Sequence, residues 1–264
     1  MQSSDEDPAF VLWKSGLTRT QHHFAAWNAE RLGISLDRSY QRYFRSNSSV
    51  AGGLLGPEFR RLGNQMHELF SVLTDDSETE VFESYQFHAR MHFLRMLAYP
   101  EPQFGENNPL ITALKSRNPV RVVDFGCGLA QVSRAVAGRL RDDGIGVDLT
   151  LCDIPTLRKD FLVWLGSRTG ISTRFLDCTP DCPIPALPQS DLFVITEVFE
   201  HLHDPIPYFD AIEASLSSGA ILITDVSDHE AEFFHVSPDL SAIRDRLNGE
   251  GFKAMRPNKV YVKT

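Results

Sequence analysis

Cysteine is scarce: the chain of 264 residues has 4, and no two form a Cys-x-x-Cys pair. Cys127, Cys152, Cys178 and Cys182 therefore do not read as a zinc ribbon, and free thiols in a reduced, cytoplasmic setting are the expectation. Long apolar runs are missing too. None approaches the ~20 residues that span a bilayer, so no membrane partner is expected. The opening Met-Gln-Ser-Ser-Asp-Glu-Asp lacks both the basic start and the apolar stretch of a secretory signal. Positive charge is the third shortage, with Lys+Arg at 26 against 35 Asp+Glu and a net charge of -9. That balance disfavours a partner gripped through its phosphates, so nucleic acid is not expected. Internal repeats and low-complexity segments are absent. What is present is 42% hydrophobic residues, enough in a chain of this length to bury a core without disulfides or structural metals.

The two halves read differently. Residues 1–104 suggest an all-helical N-terminal lid or subdomain, and 105–264 an α/β domain, with the Pro/Gly/Asn-rich stretch 100–108 as linker. Helices are expected at about 19–32, 37–46, 57–73 and 78–99. The last opens on a Ser77/Glu80 capping box and stops at Pro100. Trp13, Phe24, Trp27, Tyr40, Tyr43 and Phe44 recur at helical spacing, which favours core over pocket lining. In the second half, β-branched and aliphatic runs mark strands at 120–124, 145–152, 173–176, 192–196, 220–224, 252–255 and 260–263. Helical patterns fall between them at 131–140, 156–166, around 208–216 and at 239–248.

The most informative segment is Val122-Val123-Asp124-Phe125-Gly126-Cys127-Gly128-Leu129-Ala130. A buried strand runs into a glycine-rich turn and then a helix. Gly126 and Gly128 allow a tight turn and a close backbone approach to a ligand, because neither has a Cβ. The turn stands where open α/β sheets bind ligands. A dinucleotide fingerprint needs a third glycine where Gln131 stands, and no Gly-Lys-Ser/Thr follows, so neither NAD nor a P-loop phosphate is favoured.

This segment resembles motif I of the class I S-adenosylmethionine-dependent methyltransferases, and three further features match in the family's order. An acidic residue ending the second strand holds the ribose hydroxyls in the family. Asp153, with Ile154 and a proline leading into a helix, fits that role, and Asp148 is the alternative. Asp177-Cys178 stands where the family contacts adenine. Thr196-Glu197-Val198-Phe199-Glu200-His201-Leu202-His203-Asp204-Pro205 looks like the family's segment after the fourth strand. The resemblance covers about 105–264, and residues 1–100 match nothing.

It implies a Rossmann-like, doubly wound sheet of the seven-stranded methyltransferase type and S-adenosyl-L-methionine as cofactor. Its cofactor-binding residues would be Asp124, Gly126, Cys127, Gly128, Asp153, Ile154, Asp177, Cys178, Thr196 and Glu197. The reaction is methyl transfer to a small-molecule acceptor on oxygen, nitrogen or carbon. In related enzymes extra N-terminal helices often cover the acceptor. Here aromatic residues, Phe87 and Phe93 among them, suit an apolar or aromatic one. If a proton must be removed, His201, His229 and His235 are the candidate bases, since histidine titrates near neutrality. Asp225, Asp228, His229, Glu230 and His235 cluster after the fifth strand, but not as His-Glu-x-x-His, and read as an acidic, solvated loop rather than a metal site. The alternatives are a methyltransferase acting on RNA or protein and a non-catalytic Rossmann-like scaffold. A homodimer is left open. Gly126→Val is expected to abolish cofactor binding while leaving the fold largely intact.

Overall fold

The computed structural model describes residues 7–49, 82, 86, 93, 96–97, 99–227, 237 and 239–264. The expected helix at 57–73 lies outside them. Of the one at 78–99, only Phe82, Gln86, Phe93 and Met96 are described as helical.

Seven strands form one sheet. They are β1 (Val120–Phe125), β2 (Val147–Asp153), β3 (Ser172–Asp177), β4 (Ser190–Ile195), β5 (Leu216–Thr224), β6 (Phe252–Arg256) and β7 (Val260–Lys263), in the order β3-β2-β1-β4-β5-β7-β6. Strands β1 to β5 pair in parallel. β7 runs antiparallel to both β5 and β6. The strand order reverses beside β1, which makes the C-terminal end of β1 a topological switch point.

Alternation explains the layers. In β1, Val120 and Val122 face one apolar core while Val123 and Phe125 face the other. β4 repeats this with Leu192 and Val194 against Phe193 and Ile195. A strand buried on both faces needs helices on both, as parallel sheets require. They are supplied by α4 (Pro109–Leu114), α5 (Gln131–Asp142), α6 (Leu157–Thr169), α7 (Ile206–Ser215) and α8 (Ser241–Leu247).

Among the described residues, the N-terminal half contributes α1 (Pro8–Ser15), α2 (Arg19–Leu32) and α3 (Leu36–Ser49), besides the helical positions 82, 86, 93 and 96. The sequence reading omits α1, although Asp7 caps it and Pro8 opens it. Thr18 and Gln21 form a capping box at the start of α2. Phe24, Trp27, Tyr40 and Tyr43 are buried, which answers the core-or-pocket question in favour of core.

The largest difference from the expected strand boundaries falls on β5. β5 begins at Leu216, not Ala220, so Leu216 ends no helix but opens the strand. Ser217, Ser218 and Gly219 hide it, since polar residues and a glycine at φ 69° read as a turn. A register shift between Ser190 and Leu192 on the neighbouring strand accommodates them.

Candidate functional site

The site grows from the C-terminal end of β1. Gly126 (φ 63°), Gly128 (φ 54°) and Ala130 (φ 52°) all adopt left-handed backbone. Glycine does so freely, whereas Ala130, standing as N-cap of α5, does so at some steric cost. The amide of Cys127 donates to the Cys152 carbonyl at 3.2 Å, which anchors the turn to the end of β2.

Asp153 ends β2 and is drawn beneath the turn. Its Oδ2 accepts from the Gly128 amide at 2.8 Å, and its Oδ1 from the Ile154 amide at 2.7 Å. The Cys178 amide donates to the Asp153 carbonyl at 3.0 Å, so the ends of β2 and β3 are tied as well. The alternative, Asp148, is exposed near the start of β2, at the opposite edge of the sheet. Asp124, inside β1, is buried and accepts from Ser133 Oγ. Burial pushes its carboxyl up to about 8; the Ser133 bond opposes the rise and nearby Asp153 adds to it. Burial also raises the thiols of Cys127, well above its ordinary value, and of Cys152, to about 12. These sulfurs stay protonated and inert at neutral pH.

After β4 the chain turns sharply. Thr196 is half-buried, and Glu197 is exposed at φ 56°, an uncommon conformation for a side-chain-bearing residue. A 3-10 turn, Phe199–His201, follows, with Phe199 and Glu200 buried and His201 half-buried. The Ser237 amide donates to the Glu200 carbonyl at 3.0 Å. His229 and His235, with Asp228 and Glu230, lie outside the described residues. Asp225 is within them and forms an ion pair with Lys259.

The topology thus brings Asp124, Gly126, Cys127, Gly128, Asp153, Ile154, Asp177 and Cys178 to one edge, with Thr196, Glu197 and His201 on the neighbouring strand end. Four neighbours escaped the sequence reading. Arg158 Nη2 donates to Asp153 Oδ1 at 3.3 Å, and Lys159 Nζ lies 2.7 Å from both oxygens of Asp177. These consecutive cations near the start of α6 read as a solvated helix face. Val198 and Met96 flank the two glycines. A Cβ on Gly126 would collide with the Val198 side chain, and one on Gly128 would stand 2.5 Å from Met96 Cε. The expectation that Gly126→Val spares the fold is therefore corrected: left-handed φ and the Val198 contact both oppose any side chain there.

No family model matches the chain. Among curated proteins it is 27% identical over 124 residues to a ubiquinone biosynthesis O-methyltransferase of Dinoroseobacter shibae, covering 46% of this chain and 48% of that protein. A protein of the same name from Ruegeria sp. is 29% identical over 104 residues, covering 39% and 40%. The chain spans about half the length of the curated relatives it matches, or less. The fold itself is given by the seven-stranded order β3-β2-β1-β4-β5-β7-β6 with its antiparallel β7 and the glycine turn after β1. The chain has the class I S-adenosylmethionine-dependent methyltransferase fold. Solved structures similar to it include the [4+2]-cyclase SpnF, at 17% identity and TM-score 0.47 over 68% of this chain and 74% of that one. A methyltransferase from Aquifex aeolicus follows at 12% identity and TM-score 0.40, covering 60% and 92%. The residues gathered above stand at the C-terminal ends of the parallel strands, the edge at which open α/β sheets bind ligands.

Proposed function

We propose that this chain transfers a methyl group from S-adenosylmethionine to a hydroxyl of a small molecule. One observation carries the reading: a left-handed glycine turn ends the central strand, and the Gly128 amide draws the Asp153 carboxylate beneath it. Bare backbone beside carboxyl groups suits a ligand with a cationic end and two vicinal hydroxyls. The relatives' names support an oxygen acceptor. The N-terminal aromatics no longer support an apolar one, because Phe24, Trp27 and Tyr43 pack on one another.

The cofactor, when bound, supplies a methyl carbon activated by a positive sulfur. The chain's residues do the rest. Gly126, Cys127 and Gly128 would seat it on backbone, with Asp124 behind them. Asp153 and Ile154 would hold the ribose, and Asp177 and Cys178 the adenine. Thr196 and Glu197 would border the acceptor side. Alignment of two reactants contributes about 7–11 kcal/mol in well-oriented systems, so the barrier falls without elaborate acid–base machinery. Where the hydroxyl must lose its proton, His201 is the described candidate base, with His229 and His235 as the others.

Calorimetric titration with S-adenosylhomocysteine tests this directly. Binding with a one-to-one stoichiometry is expected. No heat of binding at millimolar ligand would leave only the scaffold reading.

A further inference from the structure

The glycine turn is held from outside as well as from within. Leu129, in the turn itself, is 1% exposed. It packs with Phe24, Trp27, Phe93 and Leu97 of the N-terminal half and with Phe161 of α6. Gln131, the first residue of α5, donates from Nε2 to the carbonyls of Met96 and Tyr99, each at 3.2 Å. Arg134, one turn later, donates to the Leu129 carbonyl at 3.0 Å, to Thr20 Oγ1 at 3.1 Å and to Glu101 Oε1 at 3.2 Å. Arg158, already paired with Asp153, also reaches Met96 Sδ at 3.6 Å.

A turn with three left-handed residues has a high ordering cost. If it is ordered only when ligand arrives, that cost is subtracted from affinity, whereas a turn already set spares it. The attachments at Leu129, Gln131 and Arg134 supply such pre-setting. Gln131 is the informative one. It stands where a dinucleotide fingerprint would have glycine, and its amide is spent on two carbonyls of the preceding segment.

We infer that Gln131 is a positioning residue that couples the 96–99 segment to the glycine turn, so that the N-terminal half sets cofactor affinity. This rests on the S-adenosylmethionine reading above. Coupling of this kind is reciprocal: cofactor must stabilise the N-terminal half by the same factor that the half adds to affinity.

The test compares the full chain with Gln131→Met, which keeps length and loses the donor. S-adenosylhomocysteine is titrated into each, melting temperatures are recorded, and hydrogen exchange is followed in α2 with and without ligand. The Kd is expected to rise about tenfold, as loss of two hydrogen bonds would give. Ligand should slow exchange in α2 of the parent chain, and less so in the variant. A lowered melting temperature with unchanged Kd would mean a merely structural residue and overturn the inference, as would an unchanged Kd with normal melting. Should Gln131→Met not fold, Arg134→Lys makes the same comparison, since it keeps the charge but cannot span the same three acceptors. Parent chain that binds no S-adenosylhomocysteine defeats the cofactor reading and this inference together. Binding by the parent that the variants match defeats the inference alone.

Discussion

The sheet half and the N-terminal helices are built on different terms. The sheet encloses its own cores: among the described residues, the buried members of one apolar cluster all lie from Leu110 onward, with half-buried Phe104 packed against them, and the other borrows only Phe82 from the first half. The N-terminal helices do so only in part, with a small cluster of Phe10, Ala25 and Tyr40. Their aromatic cluster of Phe24, Trp27, Tyr43, Phe93 and Leu97 is completed by Leu129, Phe161 and Leu165 of the other half. The first half therefore depends on the second for burial, and the shared contacts fall on the glycine turn and α6. Loss of the interface should loosen the helices while the sheet persists.

Phe161→Ala gives the largest expected effect and strains that comparison hardest. Phe161 is fully buried and meets Trp27, Phe93 and Phe24 at ring distances of 5.5, 5.8 and 6.1 Å. Truncating a buried phenylalanine costs about 3–5 kcal/mol. Hydrogen exchange should rise first in α1 to α3 and last in β1 and β4. Uniform loss of protection would show that the halves unfold as one. Asp124 should act on the sheet half next. Burial raises its folded-state value to about 8, above the ordinary carboxylate range. Stability from this group is complete below about pH 4 and declines as pH rises through 8. Asp124→Asn should flatten the stability profile between pH 5 and 8, a change on the order of a few kcal/mol. An equally steep profile in the variant would assign the slope to another group.

The difference between the halves also governs what could be read without coordinates. β-Branched and aliphatic runs located every strand, most clearly β1 and β4, which are buried on both faces and so leave a nearly continuous apolar signal. The glycine turn was legible through Gly126 and Gly128, whose backbone requirement is local. The position of Asp153 beside the turn was legible because it ends the second strand, whereas only the strand direction places Asp148 at the other edge of the sheet. The attachments were not legible. Met96 reaches Gly128, and Thr20 reaches Arg134, across separations that no periodicity encodes. Arg158 and Lys159 carry no sequence signal of their own, and only the strand-to-helix turn brings them back over Asp153 and Asp177.

Asp153→Asn should separate site from scaffold more finely. Its carboxylate accepts from two backbone amides and pairs with Arg158. Charge-assisted bonds contribute about 1.5–3 kcal/mol each, so S-adenosylhomocysteine affinity should fall by roughly 10- to 100-fold. Calorimetry on folded variant reads this, and unchanged affinity would remove Asp153 from the ribose site.

The smallest effect expected belongs to the opposite edge of the sheet. Asp191 is buried there, and burial alone would raise its carboxyl, but hydrogen bonds from Arg121 and Arg117 outweigh it and hold the group at about 2. A depressed carboxylate stabilises above its unfolded value, so this contribution is present at neutral pH and is lost as pH falls from about 4 to 2. Removing one partner with Arg121→Ala should cost about 1–2 kcal/mol at pH 7, since Arg121 is partly exposed and Arg117 remains. The melting-temperature difference between parent and variant should shrink toward pH 2, and cofactor affinity should not change, because β1 and β4 carry Arg121 and Asp191 at the end of the sheet remote from the glycine turn. A shift in affinity here would mean that the sheet transmits strain along β1, and that the site is less insulated by its scaffold than its separate cores imply.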